Sequence, residues 1–365
     1  MKILHLHIGL SKTGTSAIQS WLSLNSKRLS TRGFSYKDSS PRAAQGAITS
    51  GNGIPLYKAC QSGDEEILRT LLHQFYFANN NKAIISSEFL QGLKEDELIL
   101  LKKICSTDKI DLRIIAYARS VYEHLYSNYH QGVKRHGFTE PFGFYEKMDY
   151  SEHRKYIENY INVFGDAIRL LNYDYNQSNI ISSFSDELEL NVTGLLEMKK
   201  KINRSLSPNE TGLMRELNQL HGGDFSQLFS DHLLEVNPDL TTKPDYSPKL
   251  VSRVSAEAKD NIRWVNRFLK DDQPAIESCL QAFKPACADE IPISQLINSL
   301  VEFSISQMHF DEPRKEKWIK FIYDWAVSLK AKNYNHSLRL ISFLKDVDPD
   351  SYYIKERILE YDNQR

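Results

Sequence analysis

The stretch "KILHLHIGLSKTGTSAIQSWL", from Lys2 to Leu22, decides the fold because its apolar periodicity changes once, around its glycines. Up to Ile8 the apolar residues alternate with histidines, a pattern typical of a β-strand. After Gly14 they recur at steps of three and four residues, which is typical of a helix. The stretch therefore predicts a strand, a glycine-containing loop and a helix in immediate succession.

The loop resembles a triphosphate-binding loop whose lysine has moved. Gly9 and Gly14 have the spacing of the G-x-x-x-x-G-K-[ST] pattern, but Thr15 occupies the usual lysine position and Lys12 supplies the cation instead. Unpaired N–H groups and the helix dipole favour an anion at the start of a helix. The pattern predicts a site for a phosphate-like group, with hydroxyl donors from Thr13, Thr15 and Ser16.

Three further apolar runs, at residues 83–85, 112–117 and 168–171, are each followed by a helix-like segment. Short strands separated by helices predict an α/β fold of three layers, a parallel sheet with helices on both faces. In such sheets ligands bind beyond the carboxyl ends of the strands. Lys12, Glu88 and Arg119 all follow predicted strands, so we expect them to share one site.

Composition limits the classes of partner. The chain has 365 residues, 46 basic and 47 acidic, with a formal charge of -1, so nucleic acid is not an expected partner. Its cysteines fall at no metal or redox spacing, namely Cys60, Cys105, Cys279 and Cys287. The chain also lacks a run of about 18 apolar residues, so no transmembrane segment is predicted. These features favour a reduced, cytoplasmic protein.

The C-terminal part has helical periodicity from about Ser207 onward. We expect one large domain over residues 1–285 and a helical extension over residues 290–365. The last helices resemble one tetratricopeptide unit, with small, aromatic and proline positions at Ala326, Tyr334, Leu338 and Pro349. Such arrays need roughly three units, so an ordinary helical hairpin is the favoured interpretation. The extension is a candidate surface for pairing subunits or docking a partner.

"KTGTS" after the first strand, followed by "AIQSWL", resembles the 5′-phosphosulfate loop of sulfotransferases that use 3′-phosphoadenosine 5′-phosphosulfate (PAPS) and have a P-loop-like fold. The resemblance implies that the loop cradles the 5′-phosphate and the sulfuryl group. It also implies that Lys12 contacts the bridging oxygen, without a metal ion. The implied loop contacts are Ser11, Lys12, Thr13, Gly14, Thr15 and Ser16.

A second element agrees with the family. There the 3′-phosphate is bound by an Arg at the end of a strand and by a Ser eight residues later, and this chain has Arg119 and Ser127. An Arg fork beside a hydroxyl suits phosphate. Ser120 and Glu123 have capping-box spacing, which predicts that a helix begins between the two ligands.

A third, softer resemblance covers "INRSLSPNETGLMRELN", residues 202–218. In many bacterial family members this segment folds over the nucleotide, so the resemblance implies that Asn203, Arg204 and Ser205 line the cofactor. The structural alternative is a helix start, with Ser207 as the cap, Pro208 at the first position and Glu210 closing a capping box. The two interpretations are compatible.

Transfer to a hydroxyl needs a base within hydrogen-bond reach. Glu88, at the end of "AIISSE", is the preferred base, and His7 is its rival. Either residue has a structural alternative, a helix-capping carboxylate or a packed strand histidine. Three further histidines stay open as bases: His130, His136 and His153. The chain shows no recognisable nucleophile set, so direct in-line transfer is the simpler mechanism.

The leading hypothesis is therefore a PAPS-dependent sulfotransferase that acts on an acceptor hydroxyl, possibly of a saccharide in a glycan or glycolipid. One alternative is a nucleoside-triphosphate-dependent kinase with a divergent loop, although the chain lacks an Asp after its apolar runs to grip magnesium. Another is a non-catalytic binding or scaffold protein. Residues 33–64 and 132–150 have no clear period and are predicted to be loops that cover the site.

Overall fold

The structure is a computed structural model. It describes residues 1–37, 50–142, 152–198, 205–221, 223, 226–237, 248–276, 295–296, 299–300, 303, 312–331, 334–347 and 352–363. The chain forms two compact units. Unit 1 comprises Met1–Leu125, Lys147–Ile202 and Tyr246–Lys284, and unit 2 comprises Tyr126–Glu146, Asn203–Asp245 and Pro285–Arg365. Unit 2 thus includes more of the chain than the predicted extension over residues 290–365.

Unit 1 contains a parallel sheet that, among the described residues, has five strands in the order β2-β3-β1-β4-β5. The strands are β1 (Lys2–Ile8), β2 (Phe34–Ser35), β3 (Lys82–Ser87), β4 (Ile110–Ala118) and β5 (Ile168–Asn172). The predicted α/β fold with a parallel sheet is confirmed, and the four strands with an apolar run lie where they were expected. β2 was missed because two residues are too short to show a period.

The helices of unit 1 cover both faces of this sheet. They are α1 (Thr15–Thr31), α2 (Ile54–Ser62), α3 (Glu65–Thr70), α4 (Glu95–Thr107), the first residues of α5 (Val121–Arg135), α6 (Glu152–Phe164), α7 (Tyr173–Asn176), α8 (Ile180–Glu187) and α11 (Pro248–Asn266). Alternate residues of a strand point to opposite faces. Leu4 and Leu6 of β1 pack in the core with α2, α4 and α6. His7 lies on the other face, with rings from β4 and α8.

Helix α2 corrects the expectation that residues 33–64 form a loop. It carries Pro55 in its first turn, where a missing N–H is harmless. Its buried face consists of Leu56, Ala59 and Cys60. A nine-residue helix with so few buried positions gives too short a pattern to recognise. Residues 38–49 and, in the second predicted loop, 143–151 lie outside the described residues.

One edge of the sheet is closed by the segment after α11. Leu269 forms a parallel bridge with Leu170 of β5, and the backbone N–H of Lys270 donates to the Leu170 carbonyl at 2.9 Å. The Asn172 amide donates to the Pro274 carbonyl at 3.0 Å, further along the same strand. The segment after α11 therefore covers part of this edge through one backbone bridge and a hydrogen bond from the Asn172 side chain.

Unit 2 is helical wherever it contains regular structure that is described. Besides the rest of α5 it contains α9 (Pro208–His221), α10 (Ser226–Val236), α12 (Glu312–Lys330), α13 (Tyr334–Val347) and α14 (Tyr352–Asn363). The predicted capping box of α9 is confirmed. The Ser207 N–H donates to the Glu210 carboxylate at 2.7 Å, and the Glu210 N–H donates to the Ser207 hydroxyl at 3.2 Å.

The core of unit 2 is built from aromatic and branched side chains, among them Phe229, Leu300, Phe321, Trp325 and Tyr361. Helices α12 and α13 pack against each other as a hairpin, and α14 contacts both. The Ser337 hydroxyl lies 2.6 Å from the Tyr361 hydroxyl and ties α13 to α14. Within the described part of the chain, no helix is both long enough and apolar enough to cross a membrane.

Candidate functional site

The candidate site of unit 1 centres on the loop that joins β1 to α1. Two of its residues have left-handed backbones, Lys12 with φ 63 and Gly14 with φ 77. A side chain at Gly14 would place its Cβ 2.9 Å from Cε2 of Tyr173. Glycine is required at this position both by the backbone conformation and by the close approach of the Tyr173 ring. The non-glycine residue Lys12 holds the same conformation at an energetic cost.

The loop hydroxyls turn inward. Thr13 Oγ1 donates to the Leu10 carbonyl at 2.7 Å, and Thr15 Oγ1 approaches the same carbonyl at 3.5 Å. Both threonines are buried, whereas Ser16 is half-buried. The N-cap residue of α1 is Gly14, which has no side chain to cap the first turn. An anion at this loop would therefore meet backbone N–H groups, while the two threonines brace the turn.

Arg119 connects the two sequence motifs. Its Nη1 donates to the Lys12 carbonyl at 2.9 Å, so the end of β4 contacts the middle of the loop. Its Nη2 lies 3.3 Å from the Asp174 carboxylate and 3.6 Å from that of Glu123. The guanidinium also stacks 4.8 Å from the centroid of the Tyr173 ring. The side chain is only 8% exposed, and its Nε has no hydrogen-bond partner among the described residues.

Two histidines contact the loop at Ser11. His124 Nε2 lies 2.8 Å from the Ser11 hydroxyl, and His153 Nε2 lies 3.4 Å from the Ser11 carbonyl. The two rings are 4.4 Å apart. Burial lowers the pKa of His124 well below 6.5, as do the neighbouring His153, Arg119 and Lys12. Burial also lowers the pKa of His153 to about 4. Both imidazoles are therefore neutral at pH 7.

The two histidines also line a cleft next to the loop. The cleft is small, with a volume of about 20 Å³, room for about one water molecule. Its polar lining is formed by Arg119, His124, His153, Arg154 and Asn261, and its apolar walls come from β4, α5, α11 and Ile276. Arginine and neutral imidazole can donate hydrogen bonds to an anionic or hydroxylated molecule.

Glu88 follows β3, the strand that pairs with β1, and therefore ends at the same edge of the sheet as Lys12. Its side chain is exposed at the surface, yet the surrounding protein raises the pKa of its carboxyl group. Desolvation causes this rise, and the charge of Lys12 partly offsets it. The Glu88 carboxylate and the Lys12 ammonium therefore interact electrostatically. A carboxylate with a raised pKa is a better proton acceptor than an ordinary one.

His7 occupies a different environment. It is fully buried, its Nδ1 lies 2.8 Å from the Ser86 hydroxyl, and its ring packs edge-on against Tyr117 and Phe184. Burial lowers the pKa of His7 to about 3. Its Nε2 is buried and has no hydrogen-bond partner among the described residues. His7 is therefore a neutral residue packed in the core, and a substrate hydroxyl cannot reach it.

The remaining predicted residues belong to unit 2, and their place in the candidate site stays a prediction. Ser127 lies within α5, in the part of that helix assigned to unit 2. Arg204 and Asn203 lie outside the described residues, and Ser205 precedes α9 in unit 2. His130, also in unit 2, lies 3.3 Å from the Thr211 hydroxyl, and burial lowers its pKa to about 3.

Sequence reasoning missed Tyr173, Asp174 and His124. Asp174 accepts from the Ser120 N–H at 2.6 Å as well as from Arg119. It follows β5, so the rule that selected Glu88 and Arg119 would also have selected it. The expectation that no Asp follows an apolar run, which counted against the kinase alternative, is therefore wrong. His124 carried no such signal, because it lies inside a helix and its contact with Ser11 joins residues more than a hundred positions apart.

The described residues contain no group of three His, Cys, Asp or Glu side chains that could hold a metal ion. No protein-family model, curated protein or solved structure matches the chain significantly.

Proposed function

We propose that the chain is a PAPS-dependent sulfotransferase with a P-loop-like fold, which moves the sulfuryl group of PAPS to an acceptor hydroxyl. The observation that carries the proposal is the 2.9 Å hydrogen bond from Arg119 to the Lys12 carbonyl. Two motifs that suggested phosphate chemistry independently, 107 residues apart, are in contact. A single nucleotide with phosphate groups at both ends of its ribose can engage both.

The proposed donor site uses the loop backbone and two side chains of unit 1, those of Lys12 and Arg119. N–H groups at the uncapped start of α1 bind the 5′-phosphate, and the Lys12 ammonium lies at the bridging oxygen. Arg119 binds the 3′-phosphate, exchanging its contact with Asp174 for one with the more highly charged ligand.

The proposed transfer is a direct displacement. The acceptor oxygen attacks sulfur while the bond from sulfur to the bridging oxygen breaks, and the electron pair of that bond stays on the 5′-phosphate. The Lys12 ammonium neutralises the charge that develops there. The acceptor proton passes to the Glu88 carboxylate. The products are the sulfated acceptor and adenosine 3′,5′-bisphosphate, so atoms and charge balance without an enzyme-bound intermediate.

Glu88 suits the role of base better than His7 does. The Glu88 carboxylate is exposed beside the charge of Lys12, with a raised pKa. His7 is enclosed by aromatic rings, with a pKa of about 3. A base must be reachable by the acceptor hydroxyl, and of these two residues only Glu88 is exposed.

Calorimetric titration of the full chain with adenosine 3′,5′-bisphosphate, without added metal, tests the proposal. We expect binding by the parent chain, and a loss of affinity of at least about tenfold in Lys12→Ala and in Arg119→Ala. Lys109→Ala is the matched control, because Lys109 is another lysine with a left-handed backbone but lies in the turn before β4. Circular dichroism establishes that each variant is folded. Unchanged affinity in both site variants contradicts the proposal.

The same titration distinguishes the proposed sulfotransferase from the alternative, a kinase. A kinase would bind ATP in a magnesium-dependent manner, because the metal bridges the β- and γ-phosphates. If the chain binds ATP tightly only with magnesium and does not bind the bisphosphate, its inferred function is phosphoryl transfer instead of sulfuryl transfer.

A further inference from the structure

An aromatic pair lies directly beside the proposed base. Phe89, the residue after Glu88, begins a short 3₁₀ turn over Phe89–Gly92 and is 46% exposed. Its ring centroid lies 5.8 Å from that of Tyr57 on α2, with the ring planes inclined at 54°. We call Phe89 and Tyr57 the aromatic platform. An exposed ring that follows the proposed base in the chain offers a ligand an apolar surface on which to stack.

Hydrogen bonds and close packing fix the turn that carries Phe89. The Tyr160 hydroxyl donates to the Leu90 carbonyl at 2.6 Å, and Leu90 itself is fully buried. The Phe89 N–H donates to the Ser87 hydroxyl at 3.2 Å. Gly53, at the start of α2, approaches so closely that an added Cβ would lie 2.6 Å from that of Ser87. The platform is therefore preorganised, and a ligand that stacks on it does not have to order it first.

The surroundings of the platform are polar. Glu88 adjoins it along the chain, and the exposed Gln61 amide donates to the Tyr57 hydroxyl at 2.8 Å. Lys58, the residue after Tyr57, is also exposed. An alkyl or aryl alcohol would leave these groups unused. A pyranose ring offers an apolar C–H face for the aromatic rings and a rim of hydroxyls for carboxylate and amide groups, as in ligand sites with a few placed polar groups.

We infer that the aromatic platform binds one sugar ring of a saccharide acceptor and thereby presents a ring hydroxyl to Glu88. This inference rests on the proposed function and identifies its acceptor class. The sugar stacks on Phe89, Tyr57 fixes its edge, and Glu88 removes the proton from the hydroxyl that faces Lys12.

Transfer of radioactive sulfuryl from ³⁵S-labelled PAPS to a surface printed with diverse oligosaccharides, alkyl alcohols and aryl alcohols tests the inference. We expect label on oligosaccharides. Phe89→Ala should lower the rate at subsaturating acceptor by about 10- to 30-fold through a raised KM, and Phe89→Trp should restore most of it. Phe75→Ala is the matched control, since Phe75 is 39% exposed and also pairs with a tyrosine ring.

The other outcomes have distinct meanings. Label only on alkyl or aryl alcohols, or on no oligosaccharide although adenosine 3′,5′-bisphosphate binds, overturns the saccharide assignment and leaves the donor site intact. An equal loss in Phe75→Ala and Phe89→Ala, or no loss in Phe89→Ala, overturns the platform. Absence of bisphosphate binding by the parent chain instead overturns the proposed function on which the inference rests.

Discussion

Two lysines with the same backbone conformation distinguish the two ends of the sheet. Lys109 has φ 56 and lies between α4 and β4 at the amino end, where a left-handed residue ends a helix in the common way. Lys12 has φ 63 and lies in mid-loop at the carboxyl end, held by Arg119 through its carbonyl oxygen. The same strained conformation closes a helix at one end and shapes the candidate site at the other.

The charged side chains at the two ends of the sheet also differ in their hydrogen-bond partners. At the amino end Lys2 Nζ lies 2.6 Å from His73 Nδ1, and His73 Nε2 lies 2.8 Å from Asp108, which also pairs with Arg69. These charges neutralise one another. At the carboxyl end, Arg119 keeps a buried Nε without a hydrogen-bond partner in the described chain. Arg119 also pairs with Asp174 and Glu123, so the two ends differ in this unpartnered Nε, which is compatible with the ligand site proposed at the carboxyl end.

The largest expected effect compares the two lysines directly. Lys12→Ala should lower the rate of sulfuryl transfer by about 100- to 1000-fold, because removing one group that stabilises developing charge has that cost. Lys109→Ala should leave the rate unchanged. Both rates are measured with ³⁵S-labelled PAPS at saturating acceptor. Equal rates in the two variants would remove the distinction between the two ends.

A second comparison uses two glycines with left-handed backbones. Gly14 lies at the carboxyl end against the Tyr173 ring, whereas a Cβ added at Gly33, which has φ 83 and precedes β2, would meet no atom within 4 Å. Gly33→Ala should lower the free energy of unfolding by about 1 to 2 kcal/mol, because only the left-handed backbone is unfavourable for alanine. Gly14→Ala should lower it by about 2 to 4 kcal/mol, because the added methyl group also overpacks the site. Urea unfolding monitored by tryptophan fluorescence measures both, and equal costs would contradict the close packing of Tyr173.

The buried His7 makes the free energy of unfolding depend on pH. The pKa of His7 is about 3 in the folded chain and 6.5 ordinarily, so below pH 6.5 the unfolded chain binds a proton that folded His7 does not. The free energy of unfolding therefore falls as pH falls from 6.5 towards 3, by about 1.4 kcal/mol per pH unit from this residue. His7→Phe should remove that part of the slope.

Urea unfolding at pH values from 7 to 4.5 measures this slope. Ser86→Ala is the control, because it removes the hydroxyl partner of His7 but keeps the titrating ring, and its slope should match that of the parent chain. A slope unchanged by His7→Phe would show that His7 is accessible to protons in the folded chain, which would revive it as a rival base.

The smallest effect concerns the amino end. Desolvation raises the pKa of Asp108, but hydrogen bonds from His73 and Arg69 outweigh it and hold the pKa below 3.8. The stabilisation is therefore present above pH 3.8 and is lost as pH falls through the lower folded-state pKa. Asp108→Asn should cost about 1 kcal/mol at pH 7, because the paired Arg69 and His73 are partly exposed.

Asp108→Asn should not change the affinity for adenosine 3′,5′-bisphosphate. Thermal unfolding and calorimetry on the same sample measure both quantities. A loss of affinity in this variant would couple the two ends of the sheet and contradict their separate roles.

The fold was predictable where the sequence has a clear period. Four strands were recognised because each buries a short apolar run, and Lys12 and Arg119 were expected at one edge because parallel strands share their carboxyl ends. β2, with two residues, and α2, with three buried positions, are too short for any period to appear. Their places are set by contacts with β3 and its neighbours, which the local sequence does not record.

The candidate site was predictable only in part. The glycine spacing indicated the loop, but it also suggested that the Thr13 and Thr15 hydroxyls face a ligand, and both instead turn towards the Leu10 carbonyl. A hydroxyl can serve either purpose, and only the path of the chain decides between them. His124 reaches Ser11 across the fold. Such long-range contacts are invisible to spacing rules.

The closed edge of β5 has a consequence for behaviour at high concentration. An unprotected strand edge recruits other chains and seeds aggregation. The bridge from Leu269 and the bonds from Lys270 and Asn172 occupy that edge, while β2 at the opposite edge offers only two residues. Among the described residues, these contacts leave fewer free backbone groups at the β5 edge for intermolecular strand addition as long as the segment after α11 stays docked.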